Sequence, residues 1–170
     1  MNEILALANE DLRTLGNQGF SLAFRMLGHR DDAADAVQDA MHQMYRRQTT
    51  YRAGRGSVRS WFLKIVRNRC IDMQRKLRPA PAGEFLDPID QRTGSPLAVS
   101  ERDELVARVR QALAELSDAN REIILLRDFH GLRYAEICEV LGLSSGTVMS
   151  RLHRARQQLR NKVIPAQGAD

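Results

Sequence analysis

Proline is concentrated in one region of this 170-residue chain. Four of its five prolines lie in PAPAGEFLDPIDQRTGSP, residues 79–96, and the fifth is Pro165. Proline breaks a helix interior because it lacks the N–H donor and its ring clashes with the preceding turn. Two long proline-free stretches remain, and each reads as several helices. Their apolar residues recur at three and four positions, with no strand-like alternation. The expected fold class is all-α, with two small helical domains joined by a flexible linker. Residues 1–78 form the first domain, 79–100 the linker, 101–164 the second domain and 165–170 a tail. At about 3.3 Å per residue the extended linker reaches about 70 Å, so the two domains can grip separate sites on one polymer.

In the first domain, Leu12, Leu15, Phe20, Ala23, Phe24 and Leu27 outline one helix. Asp31 and Asp32 open a second, where acids suit the positive end of the helix dipole. Ala33, Ala36, Val37, Ala40, Met41 and Met44 form its buried stripe, with Asp35, Gln38, Asp39 and His42 on the other side. After the loop TTYRAGRGS, a third helix is predicted from Val58 to Leu77. There Phe62, Ile65, Val66, Met73 and Leu77 face a core, while Arg59, Arg67, Asn68, Arg75 and Lys76 cannot all do so. In the second domain, Leu105–Leu116 reads as one helix. Ser117 caps the next, which carries the run Ile123–Leu126 and stops at Gly131. Tyr134–Leu141, the turn GLS and a long helix from about Ser145 follow.

The formal net charge of +5 favours an anionic partner, and its distribution says more. Residues 46–78 hold eleven Lys/Arg and one acid, Asp72, and residues 144–164 hold five basic residues and no acid. Residues 81–126 carry five basic residues against nine acids, and residues 1–39 three against seven. Two basic blocks separated by an acidic stretch point to two nucleic-acid contacts and a separate acidic surface. Cys70 and Cys138 stand far apart among apolar neighbours, outside any CxxC pattern, and read as core residues. The histidines His29, His42, His130 and His153 lack metal-ligand spacing, and no phosphate loop, paired-carboxylate or nucleophile motif occurs. Apart from His153, each histidine reads as a surface residue. No metal, cofactor or catalytic residue is expected. No apolar run reaches bilayer length and no signal pattern opens the chain. A cytoplasmic location without membrane insertion follows as an expectation.

Two helices joined by a glycine-containing turn form the helix-turn-helix pattern, whose second helix enters the major groove. At about 100° per residue, Val148, Leu152, Ala155 and Leu159 share one narrow arc of the closing helix. Opposite lie Gly146, Ser150, His153, Arg154 and Gln157, with Met149 and Arg156 on one flank and Thr147 and Arg151 on the other. Hydroxyl, imidazole, amide and guanidinium groups can hydrogen-bond to base edges. Flanking arginines suit phosphates.

These residues resemble a known family. LSDANREIILLRDFHGLRYAEICEVLGLSSGTVMSRLHRARQQLR is similar to region 4, the promoter-recognition domain of bacterial sigma factors. The pattern R-E-x-x-L-L-R, then G-L-x-Y-x-E-I, then L-G-x-S-x-G-T-V-x-S-R-x-x-R-A-R carries the likeness. DDAADAVQDAMHQMY and SWFLKIVRNRCIDMQRK resemble region 2. With regions 2 and 4 alone, the chain resembles the extracytoplasmic-function (ECF) type. The resemblance implies a sigma factor that binds core RNA polymerase, directs it to promoters and helps to open the DNA. By matched position, Asp35, Gln38 and Asp39 would meet the polymerase. Tyr51, Arg52, Arg55, Ser57, Arg59 and Asn68 would handle the downstream (−10) element, where strands part and a base is captured. Trp61 reads as core rather than as a stacking platform. Ser150, His153 and Arg154, with Met149 beside them, would face bases of the upstream (−35) element. Arg127, Tyr134, Thr147 and Arg151 would hold its backbone. Met149 stands where the family usually has Lys or Arg, and Ala34 where it has an acid. Promoter DNA, core polymerase and an anti-sigma factor are the implied partners, with a monomer when free.

Two other readings compete. A stand-alone helix-turn-helix repressor or activator would dimerise on paired half-sites and leaves the acidic helix and the first basic block unexplained. An enzyme acting on nucleic acid finds no supporting motif.

Overall fold

The computed structural model describes residues 9–52, 56–77 and 101–164. Seven helices and no strand occur among these residues. Helix α1 spans Asn9–Leu27, α2 Arg30–Arg46 and α3 Val58–Leu77, with a short 3₁₀ turn at Gln48–Thr50. Helix α4 spans Glu101–Ala114, α5 Asp118–Ile124, α6 Tyr134–Leu141 and α7 Ser145–Val163. The expected linker and the side chain of Leu77 lie outside the described residues. No helix among the described residues is long and apolar enough to cross a membrane.

Helices α1, α2 and α3 pack on one another around Leu22, Ala23, Met44, Phe62, Leu63 and Val66, all fully buried. Small residues make the close approach. Ala33, Ala36 and Ala40 line the buried side of α2. A Cβ on Gly19 would sit 2.8 Å from the Phe62 ring, so only glycine lets α1 come this near α3. Cys70 is buried in the same core, and burial pushes its thiol up to about 12.

The second unit is built around α5. Four consecutive residues, Ile123, Ile124, Leu125 and Leu126, are at most 1% exposed. A helix lying on a surface buries one stripe, so a run buried without a break has neighbours on every side. Helix α7 supplies one of them. The helix then widens into a π turn over Leu125–Phe129, where the His130 N–H donates to the Leu125 carbonyl. Ser117 occupies the expected N-cap position of α5, yet its side chain makes no capping bond. Its carbonyl accepts from the Asn120 and Arg121 N–H groups instead. The Arg121 side chain turns back to donate to the carbonyls of Leu113, Ala114 and Leu116 at the end of α4. Partial burial there lowers the pKa of Arg121, against the nearby charge of Asp118.

Candidate nucleic-acid interface

The α6–turn–α7 motif is fixed by Gly142. Its φ of 67° lies in the left-handed region that favours glycine. Its N–H and that of Leu143 both donate to the Cys138 carbonyl, at 2.8 and 3.1 Å. Ser144 then caps α7, its hydroxyl accepting from the Thr147 N–H at 3.3 Å. Val148, Leu152 and Ala155 are buried and Leu159 is half-buried, so the arc assigned from spacing faces the core. Gly146, Met149, Ser150, His153, Arg154 and Gln157 are exposed, while Thr147 and Arg151 are half-buried. Met149, at 56% exposure, is an apolar side chain standing in water. Arg127 donates to the Leu132 carbonyl at 2.7 Å and lies 5.0 Å from the centre of the Tyr134 ring. That contact joins two of the expected backbone-holding residues.

The closing basic block lacks acids in sequence but not in space. Arg156 pairs with Asp128 through two hydrogen bonds, and these, rather than its shallow burial, raise its pKa. Lys162 pairs with Glu115 at 2.7 Å, and this partner holds the Glu115 carboxyl below the usual range. Arg151, Arg154 and Arg160 have no acidic partner within ion-pair distance among the described residues.

In the first unit, a cavity of about 430 Å³ opens between the segment before α3 and α3 itself. Thr50, Tyr51, Arg52, Gly56, Ser60, Trp61, Lys64 and, from α6, Glu139 line it. The Tyr51 and Trp61 rings stand 5.5 Å apart, tilted by 48°. Trp61 packs partly against the core, as its helical position implies, yet its ring also borders this cavity. Lys64 and Glu139 escape the sequence reading because nothing in their local pattern marks a cavity wall. Arg55 lies outside the described residues. Asn68 is exposed and accepts from Arg67 at 3.2 Å.

Asp35, Gln38 and Asp39 are exposed on α2, opposite its buried alanines, and so is Ala34. Asp39 also pairs with Arg69 of α3 at 2.7 Å.

The two units touch along α3. Ser57 donates to Glu136 at 2.7 Å, Arg67 donates to both carboxylate oxygens of Glu122, and Arg59 donates to the His130 carbonyl and, at 2.8 Å, to Gln18. Arg25 lies 4.3 Å from the centre of the Phe129 ring. Ser57 and Arg59, assigned from sequence to the downstream element, are therefore held by the second unit. Partial burial pushes the Glu136 carboxyl up. Hydrogen bonds from the Arg133 N–H, Ser57 and the Arg133 guanidinium outweigh it and leave the group below its usual range. His130, expected at the surface, is instead 6% exposed. Burial, then the charges of Arg59 and Arg25, push it down to about 4, so it stays neutral at pH 7.

Comparison with known proteins places these features in a family frame. Residues 12–79 match the model for Sigma-70 region 2, and residues 107–159 match Sigma-70, region 4. The chain is 32% identical over 156 residues to ECF RNA polymerase sigma factor SigE of Mycolicibacterium smegmatis, covering 90% of this chain and 60% of that protein. The chain thus spans less than two thirds of that relative. It is 32% identical to RNA polymerase sigma factor SigV of Bacillus subtilis, over 83% of this chain and 81% of that one. Among solved structures, it superposes on sigma factor RpoE of Bartonella quintana, in complex with the anti-sigma factor NepR. The TM-score is 0.73 at 22% identity, over 93% of this chain and 97% of that one. It also matches CnrH in complex with the cytosolic domain of CnrY, with a TM-score of 0.63 at 26% identity, over 87% and 81%.

Proposed function

Because the chain belongs to the ECF family of RNA polymerase sigma factors, we propose that it binds core RNA polymerase, directs it to specific promoters and helps to open the DNA. It does no covalent chemistry of its own. Helix α7 carries this reading furthest. Its apolar arc is buried while Ser150, His153 and Arg154 face outward after a glycine turn, and Arg151 and Arg154 have no acidic partner among the described residues. Those groups bond to bases of the upstream element, with Met149 beside them, and Arg127, Tyr134, Thr147 and Arg151 hold its backbone. Residues 101–164 act as that reader and residues 1–78 as the unit that opens DNA.

Tyr51, Arg52, Arg55, Ser57, Arg59 and Asn68 serve the downstream element. The aromatic, cationic cavity beside Tyr51 and Trp61 suits an unstacked base. The exposed face of α2, with Asp35, Gln38 and Asp39, docks on the polymerase. The protein works in the cytoplasm, is a monomer when free, and has an anti-sigma protein as a further partner, as the solved relatives do. The test is run-off transcription by core polymerase from a pool of promoters, with and without the chain. The reading requires new start sites that depend on the chain; unchanged products on every template would overturn it.

A further inference from the structure

Glu122, from the acidic stretch between the two basic blocks, and two acceptors beyond that stretch reach the first unit. Three acceptor groups of the second unit, the carboxylates of Glu122 and Glu136 and the His130 carbonyl, take hydrogen bonds from Arg67 and Arg59 of α3 and from Ser57 just before it. Hydroxyl and guanidinium donors of this kind are those that hold phosphate oxygens in protein–DNA contacts. The arrangement is built rather than incidental. Glu122 is 8% exposed and accepts two of the three guanidinium bonds of Arg67, whose side chain is 21% exposed. Arg52 ahead of α3 and Arg75 and Lys76 in its last turn are further exposed cations of the first unit. They add to the positive field that an anion approaching this unit meets.

We propose that Glu122 and Glu136 are an internal stand-in for DNA phosphates that keeps the α3 face closed in the free chain, and that Arg67 passes to a phosphate when the two units part. Carboxylate and phosphate cannot hold the same donors together, so closure and strand binding exclude each other. The apparent affinity of the free chain for an opened strand is then its intrinsic affinity multiplied by the open fraction. The proposal rests on the assignment of α3 to the opened strand.

The experiment uses the full chain with fluorescent dyes on Ala34→Cys and Ala107→Cys, two exposed positions on α2 and α4, in a Cys138→Ala background. Energy transfer reports closure, and anisotropy reports binding of a single-stranded 30-nucleotide DNA of mixed sequence. The pair Glu122→Gln with Glu136→Gln should lower energy transfer and tighten DNA binding by about ten- to a hundred-fold, as release of a minor state populated at about 1–10% demands. In Glu136→Gln the side-chain amide oxygen still accepts the N–H of Arg133, so the start of α6 is kept. Glu10→Gln with Glu104→Gln, two exposed carboxylates outside the contact, controls for net charge and should change binding far less. Arg67→Glu should open the chain yet bind DNA more weakly than the Gln pair, and adding Glu122→Arg should restore energy transfer.

Binding by the Gln pair that equals the wild type or the charge control would refute the proposal. So would energy transfer in the labelled parent chain that saturating oligonucleotide leaves unchanged, a result that needs neither Gln substitution. Run-off transcription by the wild type separates the two readings. If it succeeds while the Gln pair binds like the wild type, the internal stand-in falls and the family function stands. If it fails on all templates, the functional assignment falls instead.

Discussion

Asp128→Asn isolates what one internal ion pair withholds from DNA. Arg156 is bound to Asp128 through both Nε and Nη2, while side-chain exposures of 47% and 34% leave the pair open to solvent. An exposed pair of this kind contributes only about 0.2–1 kcal/mol to folding, so the variant should fold with nearly native stability. The gain should appear in DNA binding. Each phosphate neutralised by a cation adds about 0.9 to the slope of log K against log salt. Releasing Arg156 to the duplex should therefore steepen the slope by up to about 0.9. Between 50 and 200 mM salt that is an extra loss of about three- to four-fold beyond the wild type, with tighter binding at the low-salt end. The assay is fluorescence anisotropy of the chain on duplex promoter DNA across a salt series. An unchanged slope would show that Arg156 does not reach a phosphate. Weaker binding at every salt would show that the pair positions α7 rather than masking a cation.

Two further perturbations test other links. His130 in the unfolded chain protonates near 6.5, and in the folded chain burial and the charges of Arg59 and Arg25 push it down to about 4. Between those values the unfolded chain binds more protons, so stability falls as pH drops, by about 2 kcal/mol at pH 5 relative to neutral pH. Urea titrations at pH 7 and pH 5 should show that loss in the wild type and a smaller one in His130→Leu; equal losses would contradict the assignment. Arg154→Ala should cost about 1–3 kcal/mol on the preferred upstream element and relax one position in a base-by-base promoter scan. A uniform loss on all sequences would make Arg154 a phosphate contact.

Periodicity locates the helices well because it is a local consequence of backbone geometry. The apolar spacing predicts α3 from Val58 to Leu77, α6 from Tyr134 to Leu141 and α7 from about Ser145, and each is found there. The buried arc of α7 and the exposed acidic side of α2 follow from the same 3.6-residue repeat. The π turn at Leu125–Phe129 escapes, because it begins inside the fully buried run Ile123–Leu126, which carries no face for a period to reveal.

What residue order by itself determined is the all-α class, the bounds of α3 and α6, the glycine turn and the outward set on α7, whereas α4 begins at Glu101 rather than Leu105 and ends at Ala114 rather than Leu116. What tertiary packing alone decided is the state of individual charges. Asp128 meets Arg156 across 28 residues, Glu115 meets Lys162 across 47, and Glu122 meets Arg67 across 55. His130 loses its water beneath α3. Helix formation depends on neighbours within a turn or two, whereas a charge's partner and its solvation depend on which distant surfaces are brought together. That is why the basic blocks could be counted from the chain, but which of their cations stay available could not.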